Sequence, residues 1–476
     1  MTASAREKRA KGDREELVII DPATLEELDR VPLMTPDEIE KTVLKADRAF
    51  PMWRDVPVKE RAKYVLRARD YLLEHVDEVA ETITHEMGKP RVESLVSEVM
   101  IAADLMGYYA NRAEEVLAEQ SIPIHLFKVV RQSSIRYEPI GVVSVISPWN
   151  YPFSIHMSSI VFALLAGNTV VFKAASDATL IAKKIDEIFS VGAGLPEGVL
   201  NLVVATGSSM GNALYAPPVR KVAFTGSTAT GTTIMREAAK HLIPVTLELG
   251  GKDAMIVLHD ADLERAAAGA VWGAFSNCGQ TCASVERCYV HRSVYDRFVD
   301  LVTEQVQRLR VGEGSDPDVD MGPLVNEKQL ALVEAHVADA VARGARVVTG
   351  GRRPEHLKGF FYEPTVLVNV NHDMRCIREE TFGPTLPIMP FDTEDEALRI
   401  ANDTVYGLTN YVQSSHPERL KRLARRLRSG MVQMNGKGRG QAAPFGGIKH
   451  SGNGREGGMF GLEEFIEVKS VGGWPE

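Results

Sequence analysis

The chain of 476 residues has a hydrophobic content of 44%, a charged content of 25% and a formal net charge of −9. These values are typical of a globular protein with two or three domains, and they argue against a general nucleic-acid-binding surface. No apolar run is long enough to span a bilayer, and four cysteines are too few for a disulfide framework, so a reducing, cytoplasmic location is expected.

Helical patterns come first along the chain. From about Thr35 to Arg112 apolar residues recur at helical spacing, and Thr35 with Glu38 forms the T-x-x-E pattern of a capping box. From Val142 onwards short β-branched runs alternate with helices, as in a parallel α/β sheet. The clearest of these runs are VVSVI, NTVVFK, GVLNLVV, KVAFTG and DAMIVL. A second alternating region extends from about 285 to 435, so two α/β halves joined near residue 250 are predicted.

Two segments fit neither half. Residues 122–138 alternate as in a β-hairpin, and residues 464–471 are predicted to form a late strand. Such pieces often pair across subunits, although an ordinary edge hairpin explains the pattern equally well.

A cysteine and a glutamate carry the clearest chemical signal. Cys282 ends the run NCGQTC, and Glu248 lies upstream in the segment LELGG. A thiolate can act as a nucleophile and a glutamate as a general base, and neighbouring glycines allow a ligand to approach the backbone. An internal cysteine is more often buried filler, and that interpretation is kept for Cys278, Cys288 and Cys376. No second Cys or His pair accompanies the first, so no metal site is expected.

Three further motifs follow predicted strands. SPWNYP comes after VVSVI, Lys173 closes NTVVFK, and FTGSTATG opens a helix after KVAF. The N–H groups at the start of that helix could hold a phosphate. Each motif alone is compatible with an ordinary turn or strand end.

In their order along the chain these motifs resemble those of the aldehyde dehydrogenase superfamily. The resemblance covers residues 18 to 472 and also includes E-E-T-F-G-P at 379–384 and P-F-G-G-I-K at 444–449. It implies two doubly wound parallel-sheet domains, a Rossmann-like cofactor domain of residues 1–121 and 139–250 and a catalytic domain of residues 251–450. Residues 122–138 and 451–476 would form a small β oligomerisation element of a homodimer or homotetramer.

The resemblance also implies roles for individual residues. Cys282 would attack an aldehyde, Asn150 would donate to the oxyanion, and Glu248 would activate the water that hydrolyses the thioester. Residues expected to bind NAD or NADP are Ile146, Trp149, Asn150, Lys173, Ser176, Gly226, Ser227, Leu249, Glu380 and Phe382. Tyr151, Thr281 and Phe445 are expected in the substrate pocket. A catalytically silent protein on this fold would have lost one of the three catalytic residues, and none is lost.

Two departures from the family pattern affect the predicted cofactor and the predicted proton relay, and one retained residue affects the predicted product. The common K-P-S-E reads K-A-A-S at 173–176, and without that glutamate a 2′-phosphate is not repelled, so both NAD and NADP remain candidates. Many members have a lysine soon after P-W-N where this chain has serines, so Glu456 cannot relay a proton through it. Members that transfer the acyl group to coenzyme A usually lack the glutamate at position 248, so its presence favours hydrolysis.

The sequence predicts an aromatic or medium-chain aldehyde as the substrate. K-A-A-S-D at 173–177 is close to the K-P-A-S-D of benzaldehyde- and vanillin-type members, and small Ser158 and Ser159 leave room for a bulky aldehyde. The alternative is a semialdehyde, whose carboxylate would meet Lys437 and Arg439 in a glycine-rich segment. A solvated surface loop also explains that segment.

Overall fold

The computed structural model describes residues 14–123, 132–436 and 440–473, and the strands below are those of the described residues. In chain order they are β1 (Glu16–Ile20), β2 (Glu27–Pro32), β3 (Gln120–Ser121), β4 (Gln132–Pro139), β5 (Val142–Ser147), β6 (Thr169–Ala174), β7 (Leu200–Leu202), β8 (Val219–Thr225), β9 (Val245–Glu248), β10 (Asp253–Val257), β11 (Val285–His291), β12 (Arg346–Thr349), β13 (Thr365–Val368), β14 (Thr385–Phe391), β15 (Thr409–Gln413), β16 (Met431–Met434), β17 (Gly452–Asn453) and β18 (Ile466–Gly473).

The helices alternate with these strands after a helical N-terminal region. They are α1 (Pro36–Arg54), α2 (Val58–Glu74), α3 (Val76–Met87), α4 (Arg91–Ser94), α5 (Met100–Ala110), α6 (Ala113–Val116), α7 (Ser154–Ala166), α8 (Thr179–Glu187), α9 (Thr228–Ala239), α10 (Leu263–Phe275), α11 (Tyr295–Val306), α12 (Glu327–Ala342), α13 (Arg375–Arg378), α14 (Glu394–Asn402), α15 (Pro417–Arg426) and α16 (Gly458–Glu463). A π-helical turn, Leu95–Val99, joins α4 to α5. The predicted capping box of α1 is confirmed, because Thr35 Oγ1 accepts from the Glu38 N–H and the Glu38 carboxylate accepts from the Thr35 N–H. None of these helices is both long and apolar enough to cross a membrane.

The first sheet has six strands in the order β17-β9-β8-β5-β6-β7, all parallel except β17. Every residue of β5 and β6 is buried, because helices cover both faces of the sheet. Val143 packs with the core of α2, α5 and α7, whereas its neighbour Val142 packs with α1 and α9 on the other face. From β5 the chain continues to β6 and β7 on one side of β5, and it then crosses back to form β8 on the other side of β5. A ligand crevice is expected at the carboxyl ends of strands where the order reverses in this way.

The second sheet has seven strands in the order β12-β13-β14-β11-β10-β15-β16, parallel except for β12. One face is covered by α10, α11 and α12, and the other by α14 and α15. Successive residues of β10 face opposite sides, with Met255 in the first core and Ile256 in the second. The predicted fold, two doubly wound parallel sheets, is confirmed.

The third sheet is antiparallel, in the order β18-β4-β3. The late strand predicted at 464–471 is present as β18, which pairs with β4 over eight residue pairs. The hairpin predicted at 122–138 lies partly outside the described residues, and β4 is its described part. β17 pairs with β9, so part of the segment 451–476, which is predicted to belong to the oligomerisation element, lies in the first sheet instead. The domain boundaries and the oligomeric state stay predictions.

Candidate active site

Cys282 follows a tight turn at the end of α10. In that turn Asn277, Cys278 and Gly279 all have left-handed backbone conformations, with φ of 52°, 56° and 72°. A Cβ on Gly279 would overlap the carbonyl of Gly383, so glycine is required there. The turn directs residues 280–282 back towards the segment that follows β5.

Asn150 is 3% exposed and hydrogen-bonded to the segment that carries the nucleophile. Its Nδ2 donates to the Gln280 carbonyl at 3.0 Å, and its own carbonyl accepts from Asn277 Nδ2 at 2.8 Å. An amide nitrogen carries two N–H groups, so the second can donate to an oxyanion formed at Cys282. The oxyanion role of Asn150 stays a prediction, and its side chain is hydrogen-bonded two residues before Cys282.

A cavity of about 260 Å³ is lined by both Cys282 and Glu248, the predicted nucleophile and the predicted base. Its lining includes Cys282 and Glu248 with the three predicted pocket residues, and it is completed by Glu93, Ser97, Ser154, Ile155, Thr225, Leu249, Trp272, Ser276, Ala283 and Glu456. Tyr151 and Thr281 share a hydrogen bond of 2.9 Å in its wall. Among the described residues that line the cavity, three are glutamates and none is a lysine or arginine.

The structure corrects the part expected of Ser158 and Ser159. The first turn of α7 contributes Ser154 and Ile155 to the cavity, whereas Ser158 and Ser159 are 7% and 5% exposed and are not among its lining residues. They lie one turn further along α7, inside the protein. The room they were expected to provide is therefore not part of this cavity.

Glu248 ends β9 and is 2% exposed. A Cβ on Gly446 would overlap its Oε1, so glycine leaves room for the carboxyl group. The nearby Gly447 N–H lowers the pKa of Glu248 slightly. Neither carboxyl oxygen of Glu248 has a hydrogen bond of good geometry to a described group. Burial first, and then the charge of Glu456, raise the pKa of Glu248 well above the usual range. A carboxylate with a raised pKa is a better acceptor for a proton from water.

Cys282 is half-buried, and its surroundings favour the neutral thiol. Burial is the main cause of its raised pKa, and the carboxylates of Asp253, Glu248 and Glu380 add to the effect. The thiolate is the reactive form, so attack requires a base or a positive charge brought by a bound group. The other three cysteines are buried, as expected of filler.

The predicted cofactor residues of the first sheet lie at its carboxyl edge: Ile146 in β5, Lys173 in β6, Ser176 after β6, Gly226 and Ser227 after β8, and Leu249 after β9. Lys173 is buried and donates to the Ala174 carbonyl at 2.7 Å. Burial lowers the pKa of Lys173 to about 8, while the charge of Asp177 acts in the opposite direction. These residues fit a dinucleotide across the strand reversal.

The turn before α9 fits a phosphate group. A Cβ on Gly226 would lie 2.6 Å from the Phe224 ring, so the turn stays narrow. Ser227 caps the 12-residue helix α9 by accepting from the Thr230 N–H at 3.3 Å. Anions are stabilised at such helix starts, which supports the expected pyrophosphate contact.

The remaining cofactor residues lie where the two sheets approach each other. Glu380 Oε1 accepts from the Gly251 N–H at 2.8 Å, and burial raises the pKa of Glu380 to about 8. Phe382 has a left-handed φ of 52°, and its ring meets the edge of Trp149 with 5.5 Å between ring centroids. Residues that follow β5 and residues that precede β14 therefore form one surface.

A buried ion pair supports the Glu380 loop. No sequence motif predicts this pair. Lys252 and Glu286 are in contact, with side chains 0% and 3% exposed. The Glu286 carboxylate also accepts from the N–H groups of Thr381 and Phe382, at 2.8 and 2.9 Å. The pair thereby fixes the backbone on either side of the predicted nicotinamide contacts.

A second buried pair supports the Asn150 turn. Lys89 Nζ lies 2.6 Å from Glu98 Oε1 with both side chains fully buried, and it also donates to the Asn150 carbonyl at 2.9 Å. Glu98 Oε2 accepts from the backbone N–H of Phe153 at 3.2 Å and of Ser154 at 2.8 Å. The pair joins the helical N-terminal region to the turn that contains Asn150. Among the described residues, no group of three or more His, Cys, Asp or Glu side chains could hold a metal ion.

Comparison with known proteins agrees with this geometry. The chain matches the aldehyde dehydrogenase family over residues 9–471. A probable NADP+ succinate-semialdehyde dehydrogenase of Sinorhizobium fredii is 42% identical over 97% of this chain and 94% of its own length. An NADP+ succinate-semialdehyde dehydrogenase of Escherichia coli is 40% identical, covering 96% and 94%. The crystal structure of an NADP-dependent enzyme of E. coli superposes with a TM-score of 0.93 at 39% identity, covering 97% and 95%. The chain therefore belongs to the aldehyde dehydrogenase family and is an NAD(P)-dependent oxidoreductase.

Proposed function

We propose that this enzyme converts its aldehyde to the carboxylic acid through a thioester on Cys282. The observation that carries the proposal is the single cavity shared by Cys282 and Glu248, with Asn150 bonded to the nucleophile segment. Cys282 Sγ attacks the aldehyde carbon, while the Asn150 amide and the Cys282 N–H donate to the oxyanion. When bound, an oxidised nicotinamide supplies the hydride acceptor and a positive ring charge.

Hydrolysis of the thioester follows from the position of Glu248. Its raised pKa suits it to take a proton from a water molecule that attacks the thioester carbon. The cavity also contains Glu456, which accepts from Thr225 Oγ1 at 3.0 Å and lies beside the base. Transfer to coenzyme A would not need this base, so hydrolysis is the outcome that the site supports best.

A semialdehyde is the substrate class that the relatives favour. Both curated relatives described above are named succinate-semialdehyde dehydrogenases, which supports the semialdehyde alternative over an aromatic or medium-chain aldehyde. A carboxylate on the substrate needs a cation, and the described lining of the cavity has none. Lys437 and Arg439 are the candidates for that cation, and they lie outside the described residues.

An uncharged aldehyde is the second candidate, and one observation favours it. Glu93, Glu248 and Glu456 all line the cavity, and an anionic substrate would approach three carboxyl groups. Like charges in a poorly solvated site oppose binding unless a cation intervenes. The aromatic or medium-chain aldehyde predicted from the sequence therefore remains a candidate on electrostatic grounds.

The experiment is a substrate panel with both cofactors, followed at 340 nm. Succinic semialdehyde, benzaldehyde and hexanal are compared with NAD and with NADP, in the presence and absence of coenzyme A. We expect turnover without coenzyme A, and NADP should be accepted because Ser176 leaves a 2′-phosphate unopposed. An absolute need for coenzyme A would contradict hydrolysis.

A paired variant separates the two substrate classes. Lys437→Ala with Arg439→Ala should lower kcat/KM for succinic semialdehyde by about tenfold or more, and leave kcat/KM for hexanal unchanged. Equal effects on both aldehydes, or no effect on either, would exclude these cations as carboxylate partners. Higher kcat/KM for hexanal than for the semialdehyde in the wild-type enzyme would favour the second candidate.

A further inference from the structure

A second concave space lies beside the catalytic cavity. It has a volume of about 410 Å³ and lies between residues 92–97, α10, the end of α11 and residues 319–321. Three large apolar side chains stand at its surface, namely Val92, Val96 and Trp272, which are 62%, 52% and 52% exposed. Buried Val271 and Phe275 form part of its floor. Clustered exposed apolar groups of this kind usually mark a binding surface.

This apolar groove adjoins the cavity that contains Cys282. The same four residues, Glu93, Ser97, Trp272 and Ser276, line both spaces. Ser97 and Ser276 have small side chains, whereas Glu93 and Trp272 are larger. A substrate that extends out of the catalytic cavity past these four residues would enter the groove.

We propose that the groove binds the hydrocarbon tail of an extended aldehyde whose carbonyl carbon lies at Cys282. This inference rests on the proposed aldehyde oxidation and adds a substrate class to the semialdehyde. A short semialdehyde needs a cation for its carboxylate, which the described lining of the groove does not offer. The apolar lining of the groove comes from Val92, Val96, Val271 and Trp272, and Glu93 and Asp320 are the charged residues among the other described residues that line it. Continuity with the catalytic cavity selects a substrate tail as the occupant.

Chain length is the first test. kcat/KM is measured for straight-chain aldehydes from propanal to dodecanal, with succinic semialdehyde as a short reference. A methylene group that leaves water completely raises kcat/KM about fourfold, so a steep rise is expected once the tail reaches the groove. A flat or falling series among active aldehydes overturns the inference. Absence of NADH or NADPH from every aldehyde would instead refute the proposed function.

A matched pair of variants locates the effect. Val96→Asp places a charge in the groove, and it should lower the ratio of kcat/KM for decanal to that for propanal by about tenfold or more. Val191→Asp is the control, since Val191 is also an exposed valine in a π-helical turn but lies on the first sheet's side, away from the groove. It should leave the ratio unchanged.

Two further results of the variant experiment would overturn the inference. An unchanged ratio in active Val96→Asp would show that the tail does not contact this position. A change of oligomeric mass in Val96→Asp with no change in the ratio would assign the groove to a second copy of the chain. The propanal rate of each variant shows whether that variant has folded.

Discussion

At the residue scale, burial disfavours the charged forms of the Cys282 thiol and the Glu248 carboxyl. Burial raises the pKa of Cys282 and of Glu248, and Glu456 raises both further. The neutral thiol is a weak nucleophile, so attack on an aldehyde depends on a base or on a positive charge brought to Cys282. The carboxyl groups around the cavity therefore influence when the Cys282 thiol loses its proton.

Substitution of the two nearby cysteines distinguishes the nucleophile from filler. Cys282→Ala should abolish aldehyde oxidation, because no other described thiol lines the cavity. Cys278→Ala should retain kcat within a few-fold, with a loss of about 1 to 2 kcal/mol in the free energy of unfolding, since the residue is 1% exposed. Steady-state kinetics and urea unfolding measure the two effects. Activity in Cys282→Ala would refute the thioester.

The pH dependence of thioester hydrolysis tests whether Glu456 raises the pKa of Glu248. Glu248 acts when deprotonated, so hydrolysis slows as the pH falls through its raised pKa. Glu456→Gln removes a negative charge that raises this pKa, so the acidic limb should move to lower pH. Glu463→Gln, on the exposed end of α16, is the control and should not move it. The single-turnover rate of acid release against pH is the measurement, and an unmoved limb in Glu456→Gln would contradict the coupling.

At the element scale, two buried ion pairs connect elements that the sequence separates widely. Lys89 and Glu98 connect the N-terminal helices to the Asn150 turn. Glu286 of β11, paired with Lys252 just before β10, connects these strands to the Glu380 loop. The strands and the helix caps were predictable because their signals are local: β-branched runs and the T-x-x-E pattern. The ion pairs were not, because a buried lysine looks like a surface lysine until the sheets are stacked.

Breaking the first pair tests its contribution. Lys89→Met leaves Glu98 buried without its partner, and the expected loss is about 3 to 5 kcal/mol in the free energy of unfolding. Lys63→Met is the control, because Lys63 pairs with Glu60 at 2.7 Å on an exposed face, where the loss should be about 0.5 kcal/mol or less. Urea unfolding of both variants measures the difference. Equal losses in the free energy of unfolding would show that the buried pair contributes no more to stability than the exposed pair.

At the scale of the whole molecule, the third sheet contains a strongly exposed strand. From Glu467 to Gly473 every residue of β18 is exposed, including Val468 at 66%. Strands with exposed apolar positions and an unpaired edge are typical of subunit contacts. The alternating pattern of the sequence predicts the late strand β18. It does not predict that β17 pairs with β9, because that pairing joins segments about 200 residues apart in the chain.

A homo-oligomer is expected to form through this sheet. Val468→Asp should reduce the molar mass measured by light scattering after gel filtration, because the charge would be buried on association. Val405→Asp, at another exposed valine 54% accessible, is the control and should keep the wild-type mass. A monomeric wild-type protein, or an unchanged mass in Val468→Asp, would contradict the prediction.

In the proposed mechanism, Glu248 activates the water that hydrolyses a thioester formed on Cys282. Intact-protein mass spectrometry of Glu248→Gln, mixed with an aldehyde and NADP or NAD, tests it most directly. The variant should release about one equivalent of reduced cofactor per active site without further turnover, and it should gain the mass of one acyl group, located on Cys282 by peptide mapping. Sustained turnover in this variant, or a burst of reduced cofactor with no acyl group on Cys282, would contradict the account.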